Sequence, residues 1–158
     1  MLKRLGITGA VVAVAALAVG SIGPATGQGS ADRGGDKGHT VRVLSTNTEE
    51  GFVDAGKAGP SLGDAFIFTS RLTKHGTKVG HTGVVCTFTS VAREETQCVG
   101  TARFRHGQIT IQGLLAGSPN VFTFPITGGT GAYEGAEGTL VVREVSDTKE
   151  LLTFKLSR

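Results

Sequence analysis

Gly63–Leu72, "GDAFIFTSRL", sets Phe66, Phe68 and Leu72 on positions of one parity, the alternation of a strand with a single buried face. The same parity continues downstream. "GHTGVVCTFTS", Gly80–Ser90, contributes Val84, Cys86 and Phe88, and "QCVGTARFR", Gln97–Arg105, contributes Cys98, Ala102 and Phe104. Between them fall His81, Thr87, Gln97, Thr101, Arg103 and Arg105, which read as the solvent face. After the turn at His106 and Gly107 the parity flips, with Ile109 and Ile111 inward. "NVFTFPIT", Asn120–Thr127, then offers Phe122, Phe124 and Ile126. "TLVVREV" and "ELLTFKL" offer Leu140, Val142, Leu152, Phe154 and Leu156. With "TVRVLSTN", Thr40–Asn47, at the front, these make eight short strands and almost no helix signal.

Eight antiparallel strands in about 120 residues can form a two-sheet sandwich or a closed barrel, one domain in either case. The barrel is favoured. Seven of the eight phenylalanines fall on inner faces spread over five strands, and the connections are hairpin-length. The fold expected is therefore all-β, an eight-stranded antiparallel up-and-down β-barrel. Such a barrel is either filled by its own side chains or wide enough for one small ligand. Phe66, Phe68, Val84, Phe88, Phe104, Phe122, Phe124 and Phe154 are the candidate ligand-binding wall.

Two glycine-rich stretches imitate catalytic motifs. "FPITGGTGAYEGAEG", Phe124–Gly138, carries Gly128, Gly129, Gly131, Gly135 and Gly138. A phosphate cradle needs a helix after it, whereas a strand follows here, and neither GxGxxG nor GxxxxGK[ST] is spelled out. The stretch reads as a barrel connection whose glycines supply positive φ and close backbone approach. "GPSLG", Gly59–Gly63, has the spacing of a nucleophile elbow, but Ser61 follows a turn and precedes a strand, the reverse of what that motif requires.

At the N-terminus, Lys3 and Arg4 precede an uncharged run from Leu5 to Val19, then Gly20 and the small-residue stretch "SIGPATGQGSA". This is the pattern of a secretory signal peptide over residues 1–27, with cleavage after Gly27 or as late as Ala31. Its apolar part is too short against the roughly twenty residues of a spanning helix. Residues 28–40 read as a disordered polar leader, and residues 41–158 as the barrel domain, secreted and without a membrane segment once the signal is removed. The formal charge of +3 falls to +1 without Lys3 and Arg4, and no basic run alternates with aromatics, so a nucleic-acid partner is not indicated. Cys86 and Cys98 are the only cysteines. In an exported chain such a pair forms a disulfide, worth about 3 kcal/mol in the loop-entropy model. His39, His75, His81 and His106 have no metal-ligand spacing, so no metal site is expected.

"GPSLGDAFIFTSRL", "GHTGVVCTFT", "HGQITIQG" and "FTFPITGGTGAYEGAEGTLVV", in this order, resemble the allene oxide cyclase barrel family and the related dirigent proteins over roughly Val41 to Arg158. The resemblance implies an oligomeric barrel, a dimer or a trimer, whose apolar lumen binds a small hydrophobic molecule without metal or organic cofactor. Allene oxide cyclases close an unsaturated fatty-acid epoxide, dirigent proteins steer radical coupling of phenols, and related bacterial members cyclise polyketides. A glutamate of the cyclases falls on Glu49, the candidate catalytic residue, while the accompanying amide position holds Gly51. The cyclase cysteine falls on Cys86. A cyclase or isomerase acting by confinement, a non-catalytic binder of the dirigent or lipocalin kind, and a solid structural barrel are the alternatives. They differ in the inward polar residues, Asp64, Ser70 and Glu144, because a buried carboxylate is costly unless it is paired or functional.

Overall fold

The computed structural model describes residues 38–157. Eight strands follow one another: β1 (His39–Val53), β2 (Ala65–Lys74), β3 (Thr77–Ser90), β4 (Glu95–Phe104), β5 (Gly107–Ala116), β6 (Val121–Gly131), β7 (Gly138–Ser146) and β8 (Lys149–Leu156). Each pairs antiparallel with the next, and β8 returns to β1 to close the barrel. Antiparallel neighbours need only tight turns. The turn between β2 and β3 is the clearest: His75 and Gly76 both adopt positive φ (50° and 80°), matching the twist of the flanking strands. β1 begins at His39, so the last two residues assigned to the leader, His39 and Thr40, belong to the barrel. The signal peptide and the rest of the leader lie outside the described residues.

Residues directly opposite one another share a face, so the register tests the parity row by row. Phe68 faces Val84, Val84 faces Gly100 and Gly100 faces Ile111, all on the inside. One row further, Phe66 faces Cys86 and Cys86 faces Cys98, where the expected disulfide is formed across a Cα–Cα distance of 4.0 Å. β1 departs from simple alternation. Its register shifts between Asn47 and Glu49, where a bulge absorbs Thr48. Before the bulge Ser45 and Asn47 oppose the inward Leu72 and Ser70; after it Glu50 and Phe52 oppose the inward Phe68 and Phe66. Phe52 thus joins the other seven phenylalanines on the inner side, its ring 5.0 Å from that of Phe66.

The two ends of the barrel differ. At the end holding the β4–β5 turn, Phe104 packs on Tyr133 at 5.4 Å and edge-on against Phe154 at 5.8 Å. Residues 132–137 fold over this end, with Ala136 buried. The glycine-rich stretch therefore splits in two: β6 runs on through Gly131, and a short turn caps the barrel floor. Ala132 N donates to the His106 carbonyl (2.8 Å), tying the cap to the neighbouring turn, and Ala136 N donates to the Tyr133 carbonyl (3.0 Å) within the cap.

Gly131 is the hinge of this cap. Its φ is +62°, and a β-carbon there would collide with the His106 carbonyl that Ala132 uses. Gly131→Val should destabilise the protein by at least about 2 kcal/mol, the left-handed penalty of about 1–2 kcal/mol plus the clash. A urea-denaturation midpoint equal to that of the wild type would contradict this account of the cap.

Candidate functional site

Above the sealed floor the lumen is open. A cavity of about 690 Å³ runs from Phe154 to the opposite end, where Pro60 of the β1–β2 loop, Val91 and Glu94 of the β3–β4 turn, and Gly117, Ser118 and Pro119 after β5 form its mouth. The space has a cause in the sequence. Above Phe104 the inner face of β4 carries only Thr96, Cys98, Gly100 and Ala102, and these small groups leave room that the side chains of β8 across the barrel do not fill. The volume lies within the range of small-molecule sites, so the barrel is not packed solid.

Of the expected wall, Phe66, Phe68, Val84, Phe88, Phe122, Phe124 and Phe154 line the cavity. Phe104 does not; it belongs to the floor, beneath Phe154. Phe66 and Phe88 stack obliquely at 5.9 Å, while Phe122 and Phe124 meet edge-on at 5.6 Å. The Cys86–Cys98 disulfide forms part of the wall and offers no free thiol.

Glu49 is not brought to the cavity. The bulge at Thr48 sets it opposite the outward Thr69, exposed on the barrel exterior, and turns its neighbour Glu50 to the inner side instead. Two of the three inward polar residues are structural. Asp64 is fully buried and accepts hydrogen bonds from Ala55 N (3.0 Å), Ser61 N (2.8 Å) and Ser61 Oγ (2.8 Å). It fastens the β1–β2 loop, and it occupies the Ser61 hydroxyl that the "GPSLG" spacing would have made a nucleophile. Ser70 Oγ donates to Asn47 Oδ1 (2.8 Å), bridging β1 and β2 beside the bulge.

Glu144 is different. It lines the cavity directly opposite Glu150 of β8, which also lines it and has the buried Ser45 on its other side. Like charges opposed across a strand pair destabilise a sheet. Burial pushes the Glu150 carboxyl above its ordinary value, and the charge of Glu144 pushes it further. Among the described residues the one ion pair joins Arg93 to Glu95 (3.0 Å), so neither glutamate has a cationic partner there. A carboxyl in the cavity wall whose pKa is raised by burial holds its proton to higher pH than an ordinary glutamate and is suited to exchanging it. Glu150 stands two residues before Leu152, so the alternation of "ELLTFKL" already marked it as inward. Glu94 lies in a turn, where no periodicity operates.

The family described as allene oxide cyclase barrel like domain matches residues 40–156. The chain belongs to this family. Among solved structures, a pyocyanin demethylase is 33% identical, with a TM-score of 0.69 over 75% of this chain and 99% of that one. A pterocarpan synthase dirigent protein is 18% identical, with a TM-score of 0.60 over 77% of this chain and 94% of that one. The Diels Alderase AbmU from Streptomyces koyangensis is 14% identical, with a TM-score of 0.56 over 73% of this chain and 64% of that one. The last two likenesses are of fold alone. No curated protein sequence matches the chain.

Two pH effects of opposite sign follow for this allene oxide cyclase barrel-like protein. The Ala55 amide above all, with Ser61, holds the Asp64 carboxyl below its ordinary 3.8 against the opposing effect of burial. The folded state then binds this proton less readily than the unfolded one, so the contribution is complete above 3.8 and is lost as pH falls towards the folded value. Asp64→Asn should lower the thermal midpoint at pH 7 and flatten its fall into acid; an unchanged acid limb would count against the staple. Glu150 has the reverse sign: its raised pKa favours folding below the ordinary 4.5, and that contribution disappears as pH rises through the folded value. Glu150→Gln should therefore raise the midpoint at pH 7 more than at pH 4. Equal shifts at both would show that the carboxyl is not held in the apolar wall.

Proposed function

We propose that this barrel binds one small hydrophobic molecule in its lumen and that Glu150 exchanges a proton with it while the walls confine it, guiding an isomerisation or cyclisation. The observation that carries this reading is a raised-pKa carboxyl projecting into an open, phenylalanine-lined cavity. Confinement in a near-reactive geometry and a positioned proton donor are separable contributions, the second worth about 10²–10⁴ in rate. The 33%-identical pyocyanin demethylase makes pyocyanin the first compound to test, and neutral aromatic compounds of similar size the next. We further propose that the protein is exported under its N-terminal signal peptide, in keeping with the oxidised Cys86–Cys98 pair, and that it assembles as a dimer or a trimer.

Binding of pyocyanin and of the neutral dye Nile red should be saturable in the wild type. Val84→Trp, which projects into the lumen, should abolish it at a stability cost under about 1 kcal/mol, because the bulk enters empty space. Phe104→Trp, on the packed floor, should do the opposite, costing about 1–3 kcal/mol through overpacking while binding is kept. Absence of saturable binding in a folded wild type would sink the reading. Binding that persists unchanged in Val84→Trp would move the site out of the lumen. Where a bound compound is turned over, Glu150→Gln should lower kcat and erase the alkaline limb of its pH profile, where the wild type loses the proton it donates; binding without turnover would leave the non-catalytic alternative.

A further inference from the structure

The cavity is charged at one end only, and with one sign. Glu94, Glu144 and Glu150 are the ionisable side chains in its lining, and no lysine, arginine or histidine joins them. They come from two separate connections of the barrel, the β3–β4 turn and the strands flanking the β7–β8 turn, and converge on the mouth that Pro60 and Pro119 border. Arg93, the cation nearest in sequence to Glu94, is held by Glu95. Lys57, Arg143 and Lys149 belong to the same end of the barrel but do not line the cavity, and Glu50, Asp54 and Asp147 are further acidic groups at that end. A negatively charged ligand entering here would meet like charge with no cation in the lining to neutralise it.

We propose that the lumen selects a planar aromatic cation, with its ring system among the phenylalanines and its positive nitrogen at Glu144 and Glu150. This rests on the reading of the lumen as a ligand site and goes beyond it by fixing the ligand's charge. Two interactions favour such a molecule. A cation between Glu144 and Glu150 relieves the repulsion of two carboxylates placed directly opposite each other across β7 and β8. The electron-rich faces of Phe66, Phe88 and Phe122 attract a delocalised cation that they would not attract in its neutral form. The ligand class also departs from the fatty-acid epoxides that the family resemblance suggests, because their free carboxylate would lie against the acidic mouth or have to be carried past it.

Three probes on one three-ring skeleton isolate the charge: N-methylacridinium, acridine at pH 8 where it is neutral, and acridine-9-carboxylate. In 20 mM salt the full-length protein should bind the cation at least about tenfold tighter than neutral acridine. The carboxylate should bind more weakly than either, and the cation preference should shrink as salt is raised. The ratio of cation to neutral affinity should fall towards one in the Glu94→Gln/Glu144→Gln variant. Should that variant fold poorly, the wild type supplies the same test: the charge of N-methylacridinium does not change with pH, so its affinity should drop between pH 8 and pH 4 as Glu150, whose pKa is raised by burial and by Glu144, gains its proton. Equal binding of cation and neutral probe, tighter binding of the anion, or a preference insensitive to pH would each overturn the proposal while leaving the lumen as a site. Failure of all three probes to bind would instead count against the lumen reading itself.

Discussion

Closure of β8 onto β1 is the constraint from which the remaining structure follows. An open eight-stranded sheet would leave two rows of unpaired amides and carbonyls, whereas the ladder from His39–Leu156 to Thr46–Lys149 uses both. Once the sheet is closed, every strand has one face towards the axis and one towards water, and a shift of one residue anywhere would exchange the two. Period-two patterning then becomes an obligation on all strands at once. The bulge at Thr48 shows how the chain meets it where its own sequence would not: one extra residue lets Asn47 and Phe52 both lie on the inner side.

Within that frame, the site arises from what is left out. Small residues along the inner face of β4 forgo packing that larger ones would supply, and the disulfide beside them restores part of the lost stability by restricting the unfolded chain. Opposing Glu144 to Glu150 works against stability as well. Asp64 and Ser70 show the alternative treatment of inward polar groups, each supplied with close hydrogen-bonding partners and each holding backbone in place. The contrast separates polar residues that serve the fold from those the fold leaves free for chemistry.

Strand parity was legible from residues such as Phe66, Val84, Cys98 and Phe154, because burial on one face of a closed barrel imposes a repeat that composition cannot hide. The disulfide and the role of the glycine-rich stretch as a link between two strands were legible for similar reasons of spacing and context. The choice of Glu49 rests on the likeness to the cyclases, and a likeness in sequence does not register the bulge at Thr48 that turns Glu49 outward and Glu50 inward. Phe104 had the correct face but the wrong height, since alternation says on which side of a strand a residue lies and not how far along the barrel axis. Glu150 was within reach of the same alternation and was overshadowed by the apolar run that follows it. Glu94 had no local signal; a turn residue with φ near 49° reaches the lumen only through the three-dimensional path of the chain.

The cap formed by residues 132–137 makes the lumen a cul-de-sac. A molecule bound there, as proposed, would have to leave by the door through which it came, backing out past the same prolines and glutamates, and no second molecule could push it through from behind. Traffic would be single-file with reversal, the end that enters last leaving first, and the mouth would lie on the entry and the exit path alike. Substitutions at the rim would for that reason alter entry and exit together, whereas changes to the floor would alter neither unless they breached it.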